Sequence, residues 1–322
     1  MPEHNPDAAP HSAGQPAARP EAVPALMDDG AGARQSQNQW YFIRRQLRQD
    51  KAALLGGAIL LIIIALTMLA DSISPFDPLE QSRDGADLLV PPNAQHWMGT
   101  DDLRRDVFSR VLHGGRTTIS VGVVSISAAI SIGLVLGLMA GYFGGGIDDV
   151  ISRFLDIMLT LPAILMAIVV VTILGAGLQN AMLAVSIASM PAFARLVRGD
   201  TLVEKNKIYV ESSRAMGASH WHIMWQHILP NVVSSVIVVG TLRVASAIQI
   251  AAGLSFLGLG AQIPHPEWGA MLSLGRNYIR SGEWWMTVFP GLAIFITVMC
   301  INLLGDGLRD ALDPRLRGTD QA

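Results

Sequence analysis

Charge is what this chain has least of. Only 15% of its 322 residues are Asp, Glu, Lys or Arg, against about a quarter in a soluble domain. The shortfall is gathered into long uncharged blocks, and the mean hydropathy is +0.39. That pattern excludes an ordinary soluble core and indicates membrane spans. The net charge of −3 leaves no basic field to attract nucleic acid. The one cysteine, Cys300, rules out an intrachain disulfide. It sits in an apolar run with no ligand cluster beside it, so a small buried hydrophobe is expected there. No G-x-x-x-x-G-K-[ST] stretch occurs, so this chain holds no phosphate loop for ATP, and energy must come from another chain or from an ion gradient. A cleaved secretory leader is not expected either. The first long apolar block starts near Ala52, too late and too long for one.

Residues 1–39 are rich in Ala, Pro, Gly, Gln and Asp without apolar period, and read as a disordered cytoplasmic tail. Segment 40–116 reads as an N-terminal helix, a first span and an outer loop, and 117–318 as a core of five spans. A span needs about 20 apolar residues. Six are expected. They are Ala52–Ala70, Thr117–Phe143, two within the uncharged run Ile157–Ala194 with a turn near Gly175–Asn180, one from Asn231 to about Ala252, and Trp284–Gly305. With the N-terminus inside, the cytoplasmic segments carry 15 Lys and Arg and the outer loops 71–116 and 253–283 carry 7. Arg44, Arg45, Arg48 and Lys51 before the first span favour the same choice, which places both termini in the cytoplasm. Gly133, Gly137 and Gly141 fall on one helix face, a spacing used for close helix packing in membranes. Pro162, Pro191 and Pro290 are candidate kinks.

The polar stretch 195–230 lies between the fourth and fifth spans. It predicts two short helices. The first runs from about Asp200 to Met216, with Asp200 or Thr201 as cap. Gly217 then suits a left-handed C-cap, Ser219 caps the second helix, and Leu229-Pro230 closes the stretch. Such an elbow is either a surface loop or a rigid knob that receives force from a cytoplasmic partner.

Glu211-Ser212-Ser213, Gly217 six residues after the Glu, and Leu229-Pro230 resemble the EAA motif of ABC importer permeases. Ser212 and Ser213 stand where that motif has alanines, and His227 where it has an aliphatic residue. Leu254-Ser255-Phe256-Leu257-Gly258-Leu259-Gly260, Pro266-Glu267-Trp268-Gly269, Gly305-Asp306-Gly307-Leu308-Arg309-Asp310 and Asp313-Pro314 are similar to segments of the dipeptide, oligopeptide and nickel permeases. So are Gly99-Thr100-Asp101 with Arg105-Asp106, although Arg104 replaces a usual Gly, and so is the tract Trp40–Pro78. The likeness is closest to the second permease of such systems.

The resemblance implies an all-α membrane protein with six transmembrane helices in the type I ABC importer permease fold. It implies ATPase coupling through Glu211, Ser212, Ser213, Ala215, Gly217, Ala218, Ser219, Leu229 and Pro230. The implied partners are a homologous second permease, two ATPase subunits that bind ATP and Mg, and an extracytoplasmic substrate-binding protein. The implied location is the bacterial inner membrane, and the chain itself binds no cofactor and does no covalent chemistry. Short peptides are the expected cargo, with nickel, glutathione and opines as alternatives. An ion-driven secondary transporter and a non-transport scaffold are the competing classes, although a secondary transporter would be expected to carry buried carboxylates in its spans.

Single residues leave alternatives open. Arg243 lies roughly 18 Å into the fifth span. It either lines the translocation path or bonds a neighbouring helix. His220, His222 and His227 suit no common metal site by spacing and read as polar contacts to an ATPase or to lipid. Trp284 and Trp285 read as an interfacial aromatic belt. Asp306, Arg309, Asp310 and Asp313 are candidate ion pairs near the membrane exit. The residues from Asp101 to Arg116 either receive the binding protein or form a short amphipathic helix on the membrane.

Overall fold

The computed structural model describes residues 50–81 and 88–312. The expected tail 1–39, the cluster Arg44, Arg45 and Arg48, and Asp313-Pro314 lie outside those residues. Ten helices carry the described chain. They are α1 (Lys51–Met68), α2 (Ala70–Ile73), α3 (Val107–Phe143), α4 (Gly145–Leu159), α5 (Ala163–Leu174), α6 (Leu178–Glu204), α7 (Ile208–Ala215), α8 (His220–Phe256), α9 (Trp268–Gly275) and α10 (Trp285–Leu312). Among the described residues β-structure is limited to one isolated bridge, Thr100 to Asp106.

Five helices are long and apolar enough to cross a membrane: α1, α3, α6, α8 and α10. The third expected span, the first within Ile157–Ala194, is not a straight helix. Its run is split into α4 and α5, which meet at 94°. The break falls at Thr160–Pro162, where proline lacks an N–H to continue the ladder. With 12 residues, α5 reaches about 18 Å, short of a bilayer core of about 30 Å. The pair counts as a span only as a bent unit. Pro191 and Pro290, by contrast, sit inside continuous helices. Ion pairs hold α4 across α6: Arg198 Nη2 donates to Asp148 Oδ2 at 2.7 Å, and Arg195 Nη2 to Asp156 Oδ1 at 2.6 Å.

The most extensive helix pair is α3 with α6, and the three-glycine face makes it possible. A Cβ at Gly133 would stand 2.8 Å from the Phe193 Cβ, one at Gly137 2.5 Å from the Ala194 carbonyl oxygen, and one at Gly141 2.7 Å from the Thr201 Cβ. Bare backbone lets the two helices approach until Phe193, Ala194 and Val197 are buried. The glycines of the final signature do the same work elsewhere. Gly305 receives Leu242 of α8 and Gly307 receives Ala53 of α1.

At the end of the bundle where α3 begins, the residues from Asp101 to Arg110, read either as a receptor for the binding protein or as a short amphipathic helix, form a buried polar knot and the first turn of α3. Asp106 caps α3 by accepting from Ser109 N at 2.7 Å and Ser109 Oγ at 2.6 Å, and its other oxygen meets His96 Nδ1 at 2.9 Å. Arg105 Nε donates to Asp101 Oδ2 at 2.7 Å. Asp101, Arg105, Asp106 and Arg110 are all buried. Trp285 is buried too, donating from Nε1 to the Thr100 carbonyl at 3.1 Å; of the expected aromatic belt only Trp284 is exposed. Arg104 has φ 61°, a left-handed conformation that explains why the resembling permeases use Gly at that place.

Candidate coupling elbow and transport face

The elbow is built by the chain between α6 and the body of α8. Helix α6 continues through Asp200 and Thr201 to Glu204, so neither residue caps the next helix; after a break, α7 starts at Ile208. Gly217 ends α7 at φ 84°. Gly217 N donates to Arg214 O at 3.0 Å and Ala218 N to Ser213 O at 3.1 Å, the paired bonds of a Schellman cap. Ser219 then accepts from His222 N at 3.3 Å and starts α8. After one turn, α8 loosens into a π-helical segment, Ile223–Ile228, before Leu229-Pro230 returns it to α geometry. Such loosened turns occur often at functional sites.

Two layers hold the elbow. Underneath, Val210, Ile223, Met224 and Ile228 are buried in the main core. Between the helices, Ser213 Oγ meets His227 Nε2 at 3.1 Å, and Asn231 Nδ2 donates to Tyr209 OH at 3.1 Å. Tyr209 OH donates to Glu204 Oε2 at 2.6 Å. Burial, reinforced by that carboxylate, pushes the Tyr209 phenol up to about 12. Tyr142 at the end of α3 bonds His220 Nδ1 at 2.9 Å. The three elbow histidines thus serve different neighbours: His220 faces Tyr142, His227 faces Ser213, and His222 sits edge-on to His227 at 5.6 Å.

Of the residues singled out for coupling, Ser213 alone is buried. Glu211, Ser212, Ala215, Gly217, Ser219 and Pro230 are exposed, and Ala218 and Leu229 are half-buried. The pattern did not single out the elbow's apolar crown. Ile208 is 82% exposed, Met216 80%, Trp221 65% and Trp225 57%. Large apolar side chains on a polar loop are a docking signal, and Trp221 and Trp225, four residues apart, were the trace of it in the sequence.

Arg243 lies near the middle of α8, 14 residues beyond Leu229, or about 21 Å along the helix. It is exposed, and among the described residues its guanidinium has neither an ion-pair nor a hydrogen-bond partner. Ser246 and Gln249 follow on the next turns, half-buried and exposed. A lone cation at mid-span does not suit a face in contact with lipid.

Comparison with known proteins adds the following. Residues 133–318 match the family described as binding-protein-dependent transport system inner membrane component. Residues 38–92 match the N-terminal TM domain of oligopeptide transport permease C. The glutathione transport system permease protein GsiD of Pectobacterium atrosepticum is 49% identical over 86% of this chain and 91% of its own length. Its counterpart in Escherichia coli O6:K15:H31 is 46% identical over 92% of this chain and 96% of its own. Among solved structures, the MetNI methionine ABC transporter in an inward-facing form superposes with a TM-score of 0.51 at 23% identity, covering 63% of this chain and 97% of that one. That last likeness concerns the fold.

Proposed function

The chain belongs to the inner-membrane permeases of binding-protein-dependent ABC importers, in the peptide and nickel branch and of the second-permease type, and on that premise we propose that it carries small peptides, glutathione among them, into the cytoplasm by alternating access. Family membership makes it a transport subunit and not an enzyme, working with ATPase and substrate-binding partners in a multi-pass arrangement. The ion-driven and scaffold alternatives fall with that membership.

In the proposed cycle both termini are cytoplasmic. Two ATPases bind ATP and Mg beneath the bundle and grip the elbow through Ile208, Met216, Trp221 and Trp225. Their closure moves Glu211–Ser219 as one body, because the Schellman cap and the Ser213–His227 bond tie α7 to the root of α8. Cargo passes between this chain and a homologous second permease, along the face that carries Arg243. The observation that carries this reading is continuity: the elbow and Arg243 belong to the same helix, His220–Phe256. A positive charge exposed at mid-span suits cargo with free carboxylates, and the names of the relatives point to glutathione.

The test is reconstitution of the importer in liposomes with its partners and ATP inside. ATP-dependent accumulation of glutathione, lost in Arg243→Gln with binding-protein-stimulated ATPase retained, is the expected result. Equal accumulation in the variant removes Arg243 from the path, and no peptide accumulation by the parent complex overturns the cargo assignment.

A further inference from the structure

An open cavity of about 730 Å³ lies at the end of the bundle opposite the elbow, between the start of α3, the start of α6, Pro78-Leu79 and the loop Ala261–Pro266. Its volume is in the range of small-molecule sites. Three prolines, Pro78, Pro264 and Pro266, stiffen its walls. Arg110 Nη1 ties two opposite walls by donating to Pro78 O at 2.8 Å and to Pro264 O at 3.4 Å.

Two polar side chains that line it converge on one carboxylate outside the lining. His113 Nδ1 lies 2.9 Å from the Ser109 carbonyl, and its Nε2 lies 3.0 Å from Asp71 Oδ1. Both ring nitrogens of His113 are thus engaged by protein oxygens. Arg116 donates from Nε to Thr67 O at 2.8 Å and from Nη2 to Asp71 Oδ2 at 2.9 Å. Its Nη1 has no partner among the described residues. His113 and Arg116 share one carboxylate, Asp71, and the exposed His265 stands at the rim. The same face of α3 continues toward the elbow end as a line of hydroxyls, Thr117, Ser120, Ser127 and Ser131. These four lie within about 80° of one another on the helix wheel.

We infer that this cavity is a capture site for a peptide carboxylate, where cargo leaving the binding protein is held before it enters the path. The inference rests on the peptide reading above and on the outward orientation of this end. The spare Nη1 of Arg116 receives the carboxylate beside the wall that His113 lines, the proline-walled surface packs against the aliphatic part of the peptide, and the hydroxyl line leads inward.

The experiment uses the whole importer in liposomes, with glutathione and its glycine-amide form as paired cargoes. The variants are Arg116→Gln and His265→Glu; the second adds a negative charge at an exposed position whose side chain bonds to none of the described residues, and so leaves folding intact. Loss of one partly exposed charge contact corresponds to about a fivefold change. The expected result is a fivefold or greater fall in the acid-to-amide uptake ratio in both variants, with the amide rate and the affinity for the binding protein kept. An unchanged ratio overturns the inference. So does weakened docking of the binding protein with equal loss for both cargoes, which would assign the cavity to an acidic loop of that protein. If a switch from zwitterionic to anionic lipid abolishes the ratio in the parent complex, a lipid phosphate is the occupant and the inference also falls. Absence of all peptide uptake in the parent complex strikes the cargo reading instead, and is thereby told apart from failure of the capture site.

Discussion

The Ser213 hydroxyl and the His227 imidazole meet at 3.1 Å across the elbow. Each departs from the motif that the elbow resembles, Ser213 in place of an alanine and His227 in place of an aliphatic residue. The two departures compensate one another. Removing either partner strands the other in a half-buried place, at a cost of about 1–2 kcal/mol, so Ser213→Ala and His227→Leu should each lower the unfolding midpoint in detergent. The double variant replaces both by the apolar pair of the motif and should cost less than the sum of the singles. Strict additivity in a double-mutant cycle would dissolve the pairing.

Gly217→Val places a β-branched residue at φ 84°. Strain of about 1–2 kcal/mol is expected, opening the Schellman cap while the bundle stays folded. The measurement is the ratio of transport to ATP hydrolysis in liposomes, which should fall. Wild-type uptake with wild-type ATPase stimulation would remove the elbow from the coupling route.

Arg104 offers the opposite sign. It adopts φ 61° in the knot that precedes α3, a conformation that costs a side-chain-bearing residue about 1 kcal/mol relative to glycine. Arg104→Gly should raise the unfolding midpoint. A lower midpoint would mean that the guanidinium supports the fold more than its backbone strains it.

Gly137→Val tests the α3–α6 contact. Its Cβ would stand 2.5 Å from the Ala194 carbonyl oxygen, which backbone cannot vacate without parting the helices. Destabilisation beyond about 3 kcal/mol is expected, seen as lost yield of monodisperse protein. Gly146→Val, where a Cβ meets open space, is the control.

The Tyr209 phenol gives a pH prediction. Its folded value is raised from 10.0 to about 12 by burial and by Glu204. The folded state therefore holds the proton more tightly than the unfolded one. Any stability gained from this is complete below pH 10.0 and is lost as pH rises through about 12. Tyr209→Phe should lose less stability than the parent protein across that window, measured as the unfolding midpoint followed by helical signal at each pH.

Much of the architecture was legible in the sequence because apolar length and turn residues report it directly. The runs at Ala52, Thr117 and Trp284 became helices, Gly217 became the left-handed cap, and the glycine triplet became the α3–α6 seam. Hydropathy could not show that Ile157–Ala194 hides a right-angled break, since it counts apolar residues without regard to direction. Nor could it show that α6 runs on to Glu204, because tertiary packing of Val197 and Thr201 against α3 outweighs the polar composition there. The buried knot of Asp101, Arg105, Asp106 and Arg110 was hidden for a different reason. Charged residues read as surface until their partners are placed, and composition does not show that Asp101 meets Arg105 and Asp106 meets Ser109 and His96 within one short stretch of chain.

The length of α8 sets a mechanical scale. Its 37 residues make a rod of roughly 55 Å, anchored near the middle where Gly240 and Leu242 press on α3 and α10. A rod pivoted at its centre is a rocker: inward travel at Trp221 must appear as outward travel near Phe256, with opposite sign and similar size. One stroke on the crown would then pinch one mouth of the pathway while widening the other.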